Sequence, residues 1–145
     1  MPDWVNTAYT EYAKRMPPEC QLHLLEINPG QRGKNTDTAR VMKAEAEKMQ
    51  VAIPRGAKVV ALDVKGQQWS TEKLSSQLSS WMQDGRDVAL LVGGPDGLDA
   101  TCLSLAEQRW SLSALTFPHP LVRVVLAEQL YRAMSILKNH PYHRG

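Results

Sequence analysis

The sequence is poor in the marks of several protein classes. Its 145 residues hold two cysteines, Cys20 and Cys102, far apart in the chain. Their spacing fits neither a zinc site nor a redox pair, which excludes a disulfide scaffold and points to a reduced, cytoplasmic protein. No apolar run approaches the ~20 residues that cross a bilayer. Met1-Pro2-Asp3-Trp4 has neither the basic nor the apolar region of a secretory signal. The Walker A loop, the G-x-G-x-x-G fingerprint and the G-x-S-x-G elbow are all missing, which argues against a P-loop ATPase, a nicotinamide oxidoreductase and a serine hydrolase. His140-x-x-His143 is the one metal-like spacing. It sits on a proline-containing tail with no third ligand nearby, so no metal is expected. The net charge is only +2.

That small total hides a strong asymmetry. Pro29 to Lys58 carries seven basic and three acidic side chains, Val59 to Glu107 three and seven, and His119 to Gly145 four and one. Three of the four histidines lie in the last stretch. A polyanion needs local positive surface rather than a large total, although such runs are commonly just solvated faces.

Hydrophobic residues make up 43% of the chain and charged residues 22%, which suits one globular domain over residues 1–145. Trp4, Val5, Ala8, Tyr9, Tyr12, Ala13 and Met16 recur at helical spacing, and Pro17-Pro18 ends that helix. Gln21 to Ile27 alternates like a strand. Asn28 to Asn35 is a loop, after which Thr36 or Asp37 can cap a helix to about Gln50. Lys58 to Val64 reads as a buried strand. Ser70 caps a helix with Leu74, Leu78, Trp81 and Met82, stopped by Gly85. Asp87 to Val92 is a second buried strand, followed by Gly93-Gly94-Pro95-Asp96-Gly97 and a helix from Leu98 to Gln108. Trp110 to Leu115 is a short strand and Thr116 to Pro120 a stiff loop. The last helix starts at Pro120 and carries Val122, Leu126, Leu130, Met134 and Leu137 on one stripe. Strands alternating with helices predict an α/β fold, a largely parallel sheet with helices on both faces. Ligands of such sheets bind beyond the carboxyl ends of the strands, here after Val64, at Gly93–Gly97 and at Thr116–Pro120.

Local evidence leaves these places open. The glycine pair lets backbone approach a ligand, or simply makes a tight turn. His119 between two prolines is a held imidazole, either packed in a turn or aimed at chemistry. Tyr142, His143 and Arg144 mix stacking and phosphate-binding groups, as single-stranded RNA recognition does, or they form a frayed end.

Three blocks decide more together than singly: Leu90 to Gly97 (LLVGGPDG), Trp110 to Tyr131 (WSLSALTFPHPLVRVVLAEQLY) and Asn139 to Arg144 (NHPYHR). With Met1–Tyr12, Gly33-Lys34-Asn35 and Ala61-Leu62-Asp63, they make the chain resemble the RlmH family, SPOUT-class methyltransferases of bacterial large-subunit (23S) ribosomal RNA. The resemblance runs through essentially the whole sequence. It implies a single domain with a deep trefoil knot in its C-terminal half. It also implies S-adenosylmethionine as methyl donor, a homodimer with an active site shared by two chains, and N3-methylation of a pseudouridine in a ribosomal RNA stem-loop, within the assembled ribosome. By position, Leu62, Gly93, Gly94, Leu112, Ser113, Ala114, Leu115, Thr116 and Phe117 would line the cofactor pocket. His119 and Arg132 would be catalytic, and Tyr142, His143 and Arg144 would meet RNA. Family members begin with a short apolar strand and a glycine ahead of the part matching Met1–Trp4. That strand is missing here, which would leave a sheet edge uncovered. A ribosome-binding module of the same fold without activity is the competing reading.

Overall fold

The computed structural model describes residues 2–27, 37–94 and 96–144. The expected loop at 28–35, with Gly33, Lys34 and Asn35, lies outside them, as do Thr36, Pro95 and the side chains of His143 and Arg144. The chain divides into two compact units, each built from separate stretches.

The first unit takes Met1–Leu24, Gln68–Gly85 and Thr116–Gly145. It contains helices α1 (Asp3–Ala13), α3 (Thr71–Asp84) and α5 (His119–Leu137), with α1 and α3 both packed on α5. Ser70 starts α3 as expected, its hydroxyl accepting from Lys73 N at 3.0 Å, and Gly85 ends it in the left-handed conformation. The core holds Val5, Leu74, Leu78, Trp81, Leu126, Leu130 and Met134. Small buried residues stand among them: Ser75 of α3, and Ala127, Ala133 and Ser135 of α5. Ser75 Oγ donates to the carbonyl of Ala133 at 3.1 Å, so its hydroxyl is buried without being orphaned. The α5 stripe is therefore broader than Val122, Leu126, Leu130, Met134 and Leu137. Leu137 is exposed and Val122 only half-buried, whereas Ala127 and Ala133 are fully buried. On α1 the expected face holds at Val5 but not at Trp4, which is 57% exposed.

The second unit takes Leu25–Gln67 and Arg86–Leu115. Its three-stranded sheet has the order β2 (Val88–Leu91), β1 (Lys58–Gln68), β3 (Gln108–Ser111). β1 and β2 pair in parallel, from Lys58 opposite Val88 to Ala61 opposite Leu91. Glu107, just before β3, donates its N–H to the carbonyl of Val59 at 2.9 Å, so β3 begins beside the same end of β1. Helices α2 (Thr38–Ala52) and α4 (Ala100–Leu105) pack together in this unit. Ala46, Val59, Leu91 and Cys102 form a core flanked by Met49, Ile53, Ala89, Leu98 and Ala106. The caps are Asp37, accepting from Arg40 N, and Asp99, accepting from Thr101 N at 3.0 Å.

Four expectations need correction. Gln21–Ile27 is not a strand: alternation places side chains on two faces but supplies no neighbouring ladder, and Leu25 is 65% exposed. β1 runs on to Gln68 instead of ending at Val64, so no loop begins there. α4 is six residues long because Asp99 caps it late and Ala106 is already extended. The third strand is Gln108–Ser111, not Trp110–Leu115. Ser113 ends it by a local turn, its Oγ accepting from Leu115 N at 3.0 Å while its carbonyl accepts from Ser111 Oγ at 2.9 Å.

One side chain braces the amino ends of the strands. Arg86 donates to the carbonyls of Gly56 and Ala57, and its fork takes both carboxylate oxygens of Glu107 at 2.8 and 3.2 Å. Arg86 holds the Glu107 carboxyl below the usual carboxylate range. A depressed folded pKa means stabilisation that is present above the unfolded pKa and lost as pH falls through the folded one. Arg86→Met should therefore lower the melting temperature at neutral pH. The gap to the native chain should narrow below about pH 4, leaving the share owed to the two carbonyls.

Candidate cofactor and RNA sites

In the second unit the parallel register fixes where a ligand would meet the sheet. Ala61 and Leu91 are the last paired residues of β1 and β2. Leu62 follows directly, half-buried and still within β1, and Gly93 and Gly94 follow β2 after Val92. Leu112 to Leu115 follows β3. Leu62, Gly93, Leu112 and Ser113 are half-buried, whereas Ala114 and Leu115 are exposed. Gly93 and Gly94 thus lie past the end of β2 and Leu112–Leu115 past the end of β3, whereas Leu62 lies inside β1, which runs to Gln68. Thr116, Phe117 and His119 belong to the first unit.

The glycine loop is a closed turn. Gly94 and Gly97 form an antiparallel bridge, with Gly97 N–H on the Gly94 carbonyl at 3.0 Å and Gly97 at φ 82°. A Cβ on Gly93 would lie 2.5 Å from the carbonyl carbon of Gly97 and 2.8 Å from Leu98 N. Those contacts are with backbone, which cannot swing aside, so Gly93 is needed by the turn itself. Any ligand in this loop meets backbone already shaped by that turn. Among Leu62, Gly93, Gly94 and Leu112–Leu115 there is no lysine, and the polar groups are main chain and the Ser113 hydroxyl.

In the first unit, His119 is the first residue of α5, with Pro118 before it and Pro120 in the first turn. Arg132 stands thirteen positions further along the same helix. At about 1.5 Å per residue the two are about 20 Å apart along the axis. The helix therefore does not bring them to one reacting atom.

The tail returns onto α5 as a short helical turn, Pro141–Arg144, and packs against it. Tyr142 lies 4.7 Å from Tyr131 between ring centroids, and the Arg132 guanidinium sits 4.9 Å from the Tyr142 ring centre. Tyr142 Oη donates to Glu128 Oε1 at 3.0 Å. Burial first, then hydrogen bonding with Tyr12 and Glu128, pushes the Tyr142 phenol far above the ordinary tyrosine range. Arg132 Nε and Nη2 reach the same Glu128 oxygen at 2.9 and 2.8 Å. Arg132 and Tyr142, proposed separately from sequence, are thus brought together. Glu128 was missed, although its position four residues before Arg132 on a helix was a readable signal. Among the described residues no group of three or more His, Cys, Asp or Glu side chains is placed to hold a metal ion, and no helix is long and apolar enough to cross a membrane.

Gly93→Ala should lower thermal stability by roughly 1–3 kcal/mol, the usual range for forcing atoms into packed space. Unfolding followed by circular dichroism measures this. An unchanged melting temperature would mean that the loop relaxes freely.

Comparison with known proteins follows this geometry. Residues 1–143 match a family model described as "Predicted SPOUT methyltransferase". The chain is 60% identical over 144 residues to the ribosomal RNA large subunit methyltransferase H of Thioalkalivibrio sulfidiphilus (strain HL-EbGR7), an alignment covering 99% of this chain and 92% of that protein. A match through nearly all of the sequence joins the strand-end loops, the proline-flanked histidine and the tail in one lineage: this chain belongs to the SPOUT methyltransferase family.

Proposed function

We propose that this protein transfers a methyl group from S-adenosylmethionine to N3 of a pseudouridine in a stem-loop of bacterial large-subunit ribosomal RNA, acting in the cytoplasm on the assembled ribosome. The observation that carries the reading is the 60% identity, through almost the full length, to a protein named for methylating that RNA. The deep trefoil knot in the C-terminal half is part of the same proposal.

When bound, S-adenosylmethionine supplies a methyl group already activated by its sulfonium. Leu62, the Gly93–Gly94 backbone and the main chain from Leu112 to Leu115 would hold its adenine and methionine parts. On the substrate side, N3 of the target is an imide nitrogen and a poor nucleophile until it loses its proton. His119 accepts that proton as the new N–C bond forms, and a guanidinium stabilises the charge that develops on the imide. Arg132 supplies the guanidinium. Tyr142, His143 and Arg144 hold the RNA by stacking and phosphate contact.

The spacing of His119 and Arg132 along α5 supports a shared site. Groups about 20 Å apart cannot serve one atom from one helix, whereas a two-fold dimer supplies the histidine from one protomer and the arginine and tail from its partner. Sedimentation at micromolar concentration should show a homodimer. A monomer under those conditions would sink the shared site.

Calorimetry should show binding of S-adenosylmethionine and of its demethylated product, and none of ATP or NAD. His119→Ala should leave that affinity intact and lower the single-turnover rate at saturating ribosomes by about 10²-fold. Arg144→Ala should instead weaken RNA binding and reduce the log–log salt slope by roughly 0.7–0.9. Ribosome binding without turnover by the native chain would favour a binding module over an enzyme.

A further inference from the structure

Glu128 is the one acidic side chain between His119 and Gly145, and it sits where that basic stretch folds back on itself. Its side chain is 18% exposed, and that of Arg132 24%. Oε1 receives three donors: Nε and Nη2 of Arg132 and the phenol of Tyr142. Oε2 receives Gln129 Nε2 at 2.7 Å, and Gln129 Oε1 accepts from the Thr71 hydroxyl at 2.9 Å. An exposed pair four residues apart on a helix is worth little. This pair is largely covered, and its third donor comes from a separate element.

We propose that Glu128 is a positioning residue for methyl transfer, fixing the Arg132 guanidinium and the Tyr142 phenol in one arrangement and tying it, through Gln129 and Thr71, to the start of α3. The proposal rests on the reading of Arg132 and Tyr142 as substrate-side groups. A guanidinium is planar, so holding Nε and Nη2 on one oxygen sets the plane in which its remaining N–H groups point. The same oxygen fixes the Tyr142 phenol, whose ring has Tyr131 and the Arg132 guanidinium as neighbours. Without the carboxylate, the long Arg132 side chain regains rotamers that must be frozen again at each turnover.

The test uses the full chain and ribosomes lacking the methyl group. Glu128→Ala should lower the single-turnover rate by about 10²-fold, the scale of a small misplacement of a reacting group, with S-adenosylmethionine affinity unchanged. Glu128→Gln keeps an acceptor oxygen in place and should recover at least about tenfold of that loss. Ultraviolet difference titration against Tyr142→Phe follows the Tyr142 phenol, whose neighbours include Tyr12, Tyr131, Arg132 and His140. Its ionisation should shift to lower pH in Glu128→Ala. Native turnover by Glu128→Ala overturns the proposal, as does a rate loss matched by an equal loss of cofactor affinity, or a glutamine variant as slow as the alanine one. Should Glu128→Ala fail to fold, Tyr142→Phe removes one donor from the same carboxylate, and native turnover by that variant overturns the proposal instead. Arg132→Ala separates the two levels. If it is slow while Glu128→Ala is native, only the positioning role falls; if it too is native, the substrate-side reading falls with it.

Discussion

Close packing of α3 and α1 against α5 is the constraint on which the first unit depends. It works because small side chains stand at the crossing. Ser75 and Ala133 meet through a hydrogen bond from hydroxyl to carbonyl, and Ala127 and Ala133 expose no surface. Larger residues there would separate the helices and uncover Leu74, Leu78 and Leu130. Because the core consumes that face of α5, its remaining surface carries Glu128, Arg132 and Tyr131, and the returning tail seats on them. The stability of the helix and the placement of Arg132 and Tyr142 are two consequences of one packing arrangement.

The second unit shows the same economy in backbone. Parallel pairing of β1 with β2 ends at Ala61 and Leu91; β1 runs on to Gln68, whereas the chain after β2 enters the turn bridged by Gly94 and Gly97. Gly93 has no room for a side chain because the turn closes on itself. A glycine suggested by ligand chemistry is therefore also demanded by local geometry. Arg86 works at the opposite ends of the strands, joining Gly56, Ala57 and Glu107.

The basic C-terminal stretch keeps its one acid covered. The charge in the last 27 residues is nearly all positive, and its single carboxylate is turned inward onto Arg132 and Tyr142. An acid kept in such a stretch would weaken phosphate binding if it faced solvent. Paired and covered, it orders its neighbours at little cost to the field outside.

Helices α1, α2, α3 and α5 were legible in the sequence from a helical period or from a cap or proline at an end, as at Asp37, Ser70 and Pro120. The strands at Lys58 and Val88 were legible as short β-branched or apolar runs, although in β2 only Leu91 is buried. Strand limits were not, because a strand ends where its partner ends: β1 outran Val64, β3 stopped at Ser111, and the alternating Gln21–Ile27 found no ladder among the described residues. The glycine pair, His119 and the Tyr142–Arg144 tail stood out as local features, while family resemblance assigned their roles and added Leu62 and Arg132. What only the tertiary structure decided is which of them meet. Arg132 and Tyr142 share one oxygen of Glu128, while His119 and Arg132 stand about 20 Å apart along one helix. Sequence spacing fixes a separation along a helix, but the approach of a tail to that helix depends on packing that no local pattern encodes.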